Sequence, residues 1–179
     1  MKFFVSLFLL VFAVSAFAES HLMRFADASQ THIVFTYEDD LWLAPINGGK
    51  AKRITNSTGV ERFAKFSPDG NKLAFSANYD GGTDVYLMDI DGSTPLRLTY
   101  HPSRDYVIDW TPDGKILFAS NGTSSLNRTR QMKVVDADGG MPVVLPIPYG
   151  SAGSISPDGE WLAYTPNSRD FRTWKRYMG

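Results

Sequence analysis

Ser67-Pro68-Asp69-Gly70-Asn71-Lys72-Leu73-Ala74-Phe75-Ser76 is the stretch on which the fold turns. Proline presets φ for the first central position of a tight turn. Asp caps the turn with its own side chain, and Gly supplies the positive φ that lets the chain reverse. The apolar run that follows is a strand. The same unit returns as Thr111-Pro112-Asp113-Gly114 before Lys115-Ile116-Leu117-Phe118-Ala119. It returns again as Ser156-Pro157-Asp158-Gly159 before Trp161-Leu162-Ala163-Tyr164-Thr165. The spacings are 44 and 45 residues. A degenerate first copy spans Phe25 to Phe35, with Asp27-Ala28-Ser29-Gln30 in the turn's place and Ile33-Val34-Phe35-Thr36-Tyr37 as the strand.

A second signal recurs inside each repeat. Leu41-Trp42-Leu43-Ala44 leads through Asn47-Gly48-Gly49 to Lys52-Arg53-Ile54-Thr55. Val85-Tyr86-Leu87-Met88 leads through Asp91-Gly92-Ser93 to Leu96-Arg97-Leu98-Thr99. Met132-Lys133-Val134-Val135 leads through Asp138-Gly139-Gly140 to Val143-Val144-Leu145-Pro146, after a longer loop around Asn121 to Arg130. Each reads as strand, glycine turn, strand. Four short strands per repeat result, and several are apolar on both faces, as a sheet covered on both sides requires. Stacked propeller blades provide that cover. A β-sandwich gives no reason for a 44-residue repeat, and β-helix repeats are shorter. The expected fold is all-β, a β-propeller of four-stranded antiparallel blades. The blades are placed at about 22–60, 61–103, 104–149 and 150–179. By this register the fourth is cut short, with its third strand at Thr173 to Tyr177. The expectation is therefore three blades plus part of a fourth, as a fragment of a longer chain.

Residues 1–18 are read apart from the fold. Met1-Lys2 is followed by an apolar run from Phe3 to Phe17 and by Ala16-Phe17-Ala18. This is the pattern of a secretory signal peptide cleaved between Ala18 and Glu19. The run is short for a membrane anchor, and the small-residue site argues for removal. The expected location is periplasmic or extracellular, with no membrane association after cleavage. With no cysteine in the sequence, an exported fold is held by its core alone. Without Lys2 the mature part carries about two excess negative charges. It has no basic stripe, which excludes a nucleic-acid surface.

Candidate chemistry is sparse. No Gly-x-Ser-x-Gly is present, and Gly150-Ser151-Ala152-Gly153 comes nearest as a loop. His21, His32 and His101 have no metal spacing. Asp89, Asp91, Asp136 and Asp138 sit in Asp-x-Asp-Gly hairpins, where backbone preference explains them more simply than calcium. Asp39-Asp40 reads as a solvated hairpin tip. Catalytic, cofactor and metal residues are expected to be absent. Arg169, Arg172, Lys175 and Arg176 form the one basic cluster. Arg169 and Arg172 are the candidates for binding peptide carboxylates at a pore mouth, set against a solvated loop.

Several longer stretches carry a resemblance. Asp40-Leu41-Trp42-Leu43-Ala44-Pro45, Arg62-Phe63-Ala64-Lys65-Phe66, Leu98-Thr99-Tyr100-His101-Pro102, Trp110-Thr111-Pro112-Asp113-Gly114 and Trp174-Lys175-Arg176-Tyr177 together resemble the first propeller of tricorn-type proteases. The Pro-Asp-Gly turn alone is shared with TolB-like propellers and with those of prolyl-oligopeptidase-type hydrolases. The tricorn resemblance implies a non-catalytic propeller that gates or channels peptides to a serine-peptidase domain outside this chain. It implies peptides or protein substrates as partners through that parent, and a homo-oligomer as an option. The alternatives are a TolB-like periplasmic scaffold for protein-protein interaction or the cap of a prolyl-oligopeptidase-type hydrolase. The familiar members act inside the cell, so the leader sets this chain apart.

Overall fold

A computed structural model describes residues 22–121 and 129–166. Every regular element among them is a strand. The first sheet is β1 (Arg24–Ala28), β2 (His32–Tyr37), β3 (Asp40–Pro45) and β4 (Lys52–Arg53), hydrogen-bonded in that order. The second repeats the pattern with β5 (Glu61–Phe66), β6 (Lys72–Ala77), β7 (Asp84–Asp89) and β8 (Leu96–Arg97). The third does so with β9 (Asp105–Trp110), β10 (Lys115–Ser120), β11 (Gln131–Asp136) and β12 (Val143–Val144). In the fourth, β13 (Ala152–Ile155) pairs with β14 (Leu162–Thr165). All pairings are antiparallel. The strand expected at Thr173 to Tyr177 lies outside the described residues.

The turns explain the repeat more fully than Pro, Asp and Gly alone. Gly70, Gly114 and Gly159 have φ of 74°, 82° and 76°. Their N–H groups donate to the carbonyls of Ser67, Thr111 and Ser156. The hydroxyls of those same residues accept the N–H of Lys72, Lys115 and Trp161 at 2.9 Å. The first turn residue thus pins the next strand, which is why it is Ser or Thr. This corrects the placement of the degenerate first copy. Asp27 and Ala28 belong to β1, and Ser29 is the pin, its hydroxyl accepting the His32 N–H at 3.0 Å.

Strand alternation divides the core into two layers. Leu73, Phe75, Tyr86 and Met88 face the first sheet and pack with Val34, Leu41 and Ile54. Ala74, Val85 and Leu87 face the third and pack with Val107, Trp110, Ile116 and Phe118. The middle sheet is therefore apolar on both faces because both are covered. The first strands β1, β5, β9 and β13 lie against one another in sequence. The sheets converge at those strands, the blade arrangement of a β-propeller around an axis.

Candidate functional site

Each first strand after β1 begins beside the preceding sheet. Glu61 N–H donates to the Asp39 carbonyl at 2.8 Å, Asp105 N–H to Thr83 at 2.7 Å, and Gly150 N–H to Arg130 at 2.8 Å. This repeated bond closes three seams between sheets. In two of them the first residue is a buried acid. Glu61 is fully buried. Its Oε1 accepts from the Ser57 hydroxyl at 2.8 Å and the Tyr79 hydroxyl at 2.6 Å. Its Oε2 accepts the Leu41 N–H at 3.1 Å and the Thr55 hydroxyl. Burial, together with the Glu61 carboxylate, pushes the Tyr79 phenol well above its ordinary value. Asp105 occupies the matching place in the next seam. Burial raises its pKa, while hydrogen bonds from Ser120 and Thr99 and the charge of Lys133 oppose the shift. At the third seam Gly150 has no carboxyl, and the Met132 side chain stands 3.1–3.2 Å from where its Cβ would be.

The residue beside each of these acids is basic. Arg62 follows Glu61, and Arg104 precedes Asp105. The seam bonds turn the two acids inward and leave both guanidiniums on the surface. They line a cavity of about 230 Å³ with Val60, Ser76, Asn78, Gly81, Thr83 and Tyr106. Neither arginine side chain has an ion-pair or hydrogen-bond partner among the described residues. The nearby acids are committed elsewhere. Arg97 lies 3.2 Å from Asp80 and 2.8 Å from Asp84. Desolvation raises the pKa of the buried Asp84, against the attraction of Arg97. Two further polar groups of the cavity are set as donors. Asn78 Oδ1 accepts the Val60 N–H at 2.6 Å, leaving its amide nitrogen to donate. Ser76 Oγ accepts the Val107 N–H at 2.8 Å, leaving its hydroxyl proton free to point elsewhere. A third cation, Arg130, stacks 4.3 Å over the Tyr106 ring and donates to Asn121 at 3.1 Å. Two guanidiniums without counter-ions among the described residues, beside two such donors, suit a carboxylate or another oxyanion.

The opposite end of the first strands carries the Pro-Asp-Gly turns and is acidic. Hydrogen bonds, chiefly from the Ser67, Thr111 and Ser156 hydroxyls, hold Asp69, Asp113 and Asp158 below the usual carboxylate range.

Arg169, Arg172, Lys175 and Arg176 lie outside the described residues, as does His21. Asp40 is a correction. It is buried rather than solvated, 2.6 Å from Arg53, just as Asp84 pairs with Arg97 one repeat later. The Asp-x-Asp-Gly residues serve their hairpins. Asp89 pairs with Lys72 at 3.0 Å, and Asp91 caps the Ser93 N–H at 3.0 Å. No cluster of three His, Cys, Asp or Glu occurs among the described residues. His32 Nδ1 contacts the Thr31 hydroxyl at 2.9 Å, and His101 contacts Ser103. Ser151 shares a loop contact with Thr165. Sequence reading passed over Arg62 and Arg104. The available signal was an acid beside an arginine at the start of two successive repeats.

Residues 20–179 match the family profile described as the tricorn protease N-terminal beta propeller domain. The chain belongs to this tricorn N-terminal propeller family. Tricorn protease homolog 1 of Streptomyces coelicolor is 36% identical over 160 residues, which is 88% of this chain and 15% of the relative. The chain thus spans a small part of that relative's length. Among solved structures, the tricorn protease superposes with a TM-score of 0.66 at 23% identity, covering 78% of this chain and 14% of that one. A putative TolB from Agrobacterium tumefaciens gives 0.68 at 21% identity, covering 80% and 53%. At such identities the two structures establish the propeller fold alone, and the sequence match places this tricorn-type chain within it.

Proposed function

We propose that the chain is the non-catalytic propeller segment of a tricorn-like serine-type peptidase, guiding peptides along its axis to a protease domain carried outside these residues. The observation that carries this reading is the pair Arg62 and Arg104. In a member of this family, two guanidiniums without counter-ions among the described residues stand where the first strands converge. A free peptide carboxylate supplies the missing charge. In this reading the leader is cleaved after Ala18 and the protein works outside the cytoplasm. Amino-terminal sequencing of the protein from its host should then begin at Glu19.

Binding of a labelled hexapeptide, measured by anisotropy, tests the role. The free-acid form should bind more tightly than its C-terminal amide, and Arg62→Glu with Arg104→Glu should abolish that preference. The chain should not hydrolyse the peptide. Hydrolysis, or equal affinity for acid and amide, would overturn the proposal. The TolB-like likeness supports a second reading, a scaffold for folded envelope proteins, which predicts no peptide binding at all.

A further inference from the structure

In a regular strand each side chain faces one side of its sheet or the other. Phe63 touches both neighbours. Its ring centroid is 4.3 Å from that of Phe25 in the first sheet and 5.8 Å from that of Tyr106 in the third. A ring that reaches both sits at the edge of its own sheet, and β5 is the edge where the sheets converge. The backbone accounts for the redirection. Phe63 has φ of 57°, and Phe25 has 55° at the matching place in β1. Each lies in a strand irregularity, between Arg62 and Lys65 or between Arg24 and Asp27.

Left-handed backbone at a bulky residue is costly, and glycine would remove the cost. Pairing does not demand it. The matching irregularity in β9 is made without a positive-φ residue. What the strained conformation produces is an arc of rings, Phe25, Phe63 and Tyr106, extended by the Arg130 guanidinium. All three rings are half-buried, so each keeps open surface. Tyr106 also forms a wall of the arginine cavity, and Phe63 follows Arg62 directly in β5. Strained backbone of this kind clusters at active sites and ligand clamps.

We propose that this aromatic arc is an apolar subsite, selecting peptides that carry a large aromatic or aliphatic side chain close to their free carboxyl end. The proposal rests on the peptide-guiding role above. The carboxylate engages Arg62 and Arg104, and the adjacent side chain packs on Phe63 and Tyr106, leaving water as it does so.

The test uses two labelled hexapeptides with free carboxyl ends, identical except for Phe or Ser at the penultimate position. The unaltered chain should bind the Phe peptide about tenfold more tightly, the scale expected for burying most of one such side chain. Phe63→Gly suits the left-handed backbone but gives up the ring's packing against the second core layer, so the variant should fold with a somewhat lower thermal midpoint. It should reduce the ratio to about one while leaving the Ser peptide's affinity unchanged. Phe25→Gly should lower the ratio in part, and it serves as a second test should Phe63→Gly not fold. Equal binding of the two peptides by the unaltered chain would overturn the arc and leave the guiding role standing. So would a ratio unchanged in the folded glycine variants. Failure of both peptides to bind would overturn both proposals.

Discussion

Replacing Glu61 by alanine should cost the fold about 3–5 kcal/mol, the scale for breaking a buried charged network. The carboxylate is fully buried and accepts four hydrogen bonds, from Leu41 N–H and from the hydroxyls of Thr55, Ser57 and Tyr79. Hydrogen bonds to a charged group contribute about 1.5–3 kcal/mol each. They do not all vanish in the variant. Leu41 N–H keeps the Thr55 hydroxyl at 2.8 Å, and Ser57 is near enough to the surface to meet water. The Thr55 and Tyr79 bonds carry most of the loss, which brings the total back to a few kcal/mol. Thr55→Val removes one donor and should cost about 1.5–3 kcal/mol. Urea unfolding followed by tryptophan fluorescence gives the midpoints, and an unchanged slope keeps the comparison valid. A Glu61→Ala loss below about 1 kcal/mol would refute the claim that this acid ties the first two sheets together.

Asp105 adds a pH dependence of determined sign. Its folded pKa is raised by burial, so the folded chain binds that proton more tightly than the unfolded chain. The stabilisation is complete below the unfolded value of about 3.9 and is lost as pH rises through the raised folded value. Stability of Asp105→Asn relative to the unaltered chain should therefore improve from about pH 4 upward, as read from urea midpoints across that range. A constant difference would refute the assignment. Gly92 and Gly48 make a second comparison. Both have positive φ, at 92° and 87°, but a Cβ on Gly92 would stand 2.9 Å from the Ile54 carbonyl oxygen, whereas one on Gly48 meets nothing within 4 Å. Gly48→Ala should cost about 1 kcal/mol and Gly92→Ala at least about 1 kcal/mol more. Equal thermal midpoints for the two variants would show that the second sheet's hairpin yields without cost.

By itself the amino-acid sequence determined the all-β class and the four-stranded antiparallel unit that recurs. Turn chemistry is local, so Pro68-Asp69-Gly70 specifies a reversal whatever surrounds it, and the 44-residue recurrence states that one unit is built again. The two-sided apolar strands around Phe75 and Phe118 likewise announced sheets covered on both faces. Tertiary structure alone decided which polar residues are interior. Asp40 read as a surface carboxylate because acids are seldom fully buried, and nothing in the sequence marked Glu61 as interior. Their burial depends on hydroxyls that reach Glu61 from loops and on the guanidinium of Arg53 in β4 that reaches Asp40. Only tertiary structure decided where Phe63 points, because one irregular position in β5 breaks an alternation that residue types alone do not mark. The cavity of Arg62 and Arg104 followed from the same cause. The two arginines are 42 positions apart in the chain, and they share one opening because successive first strands are drawn together at the axis.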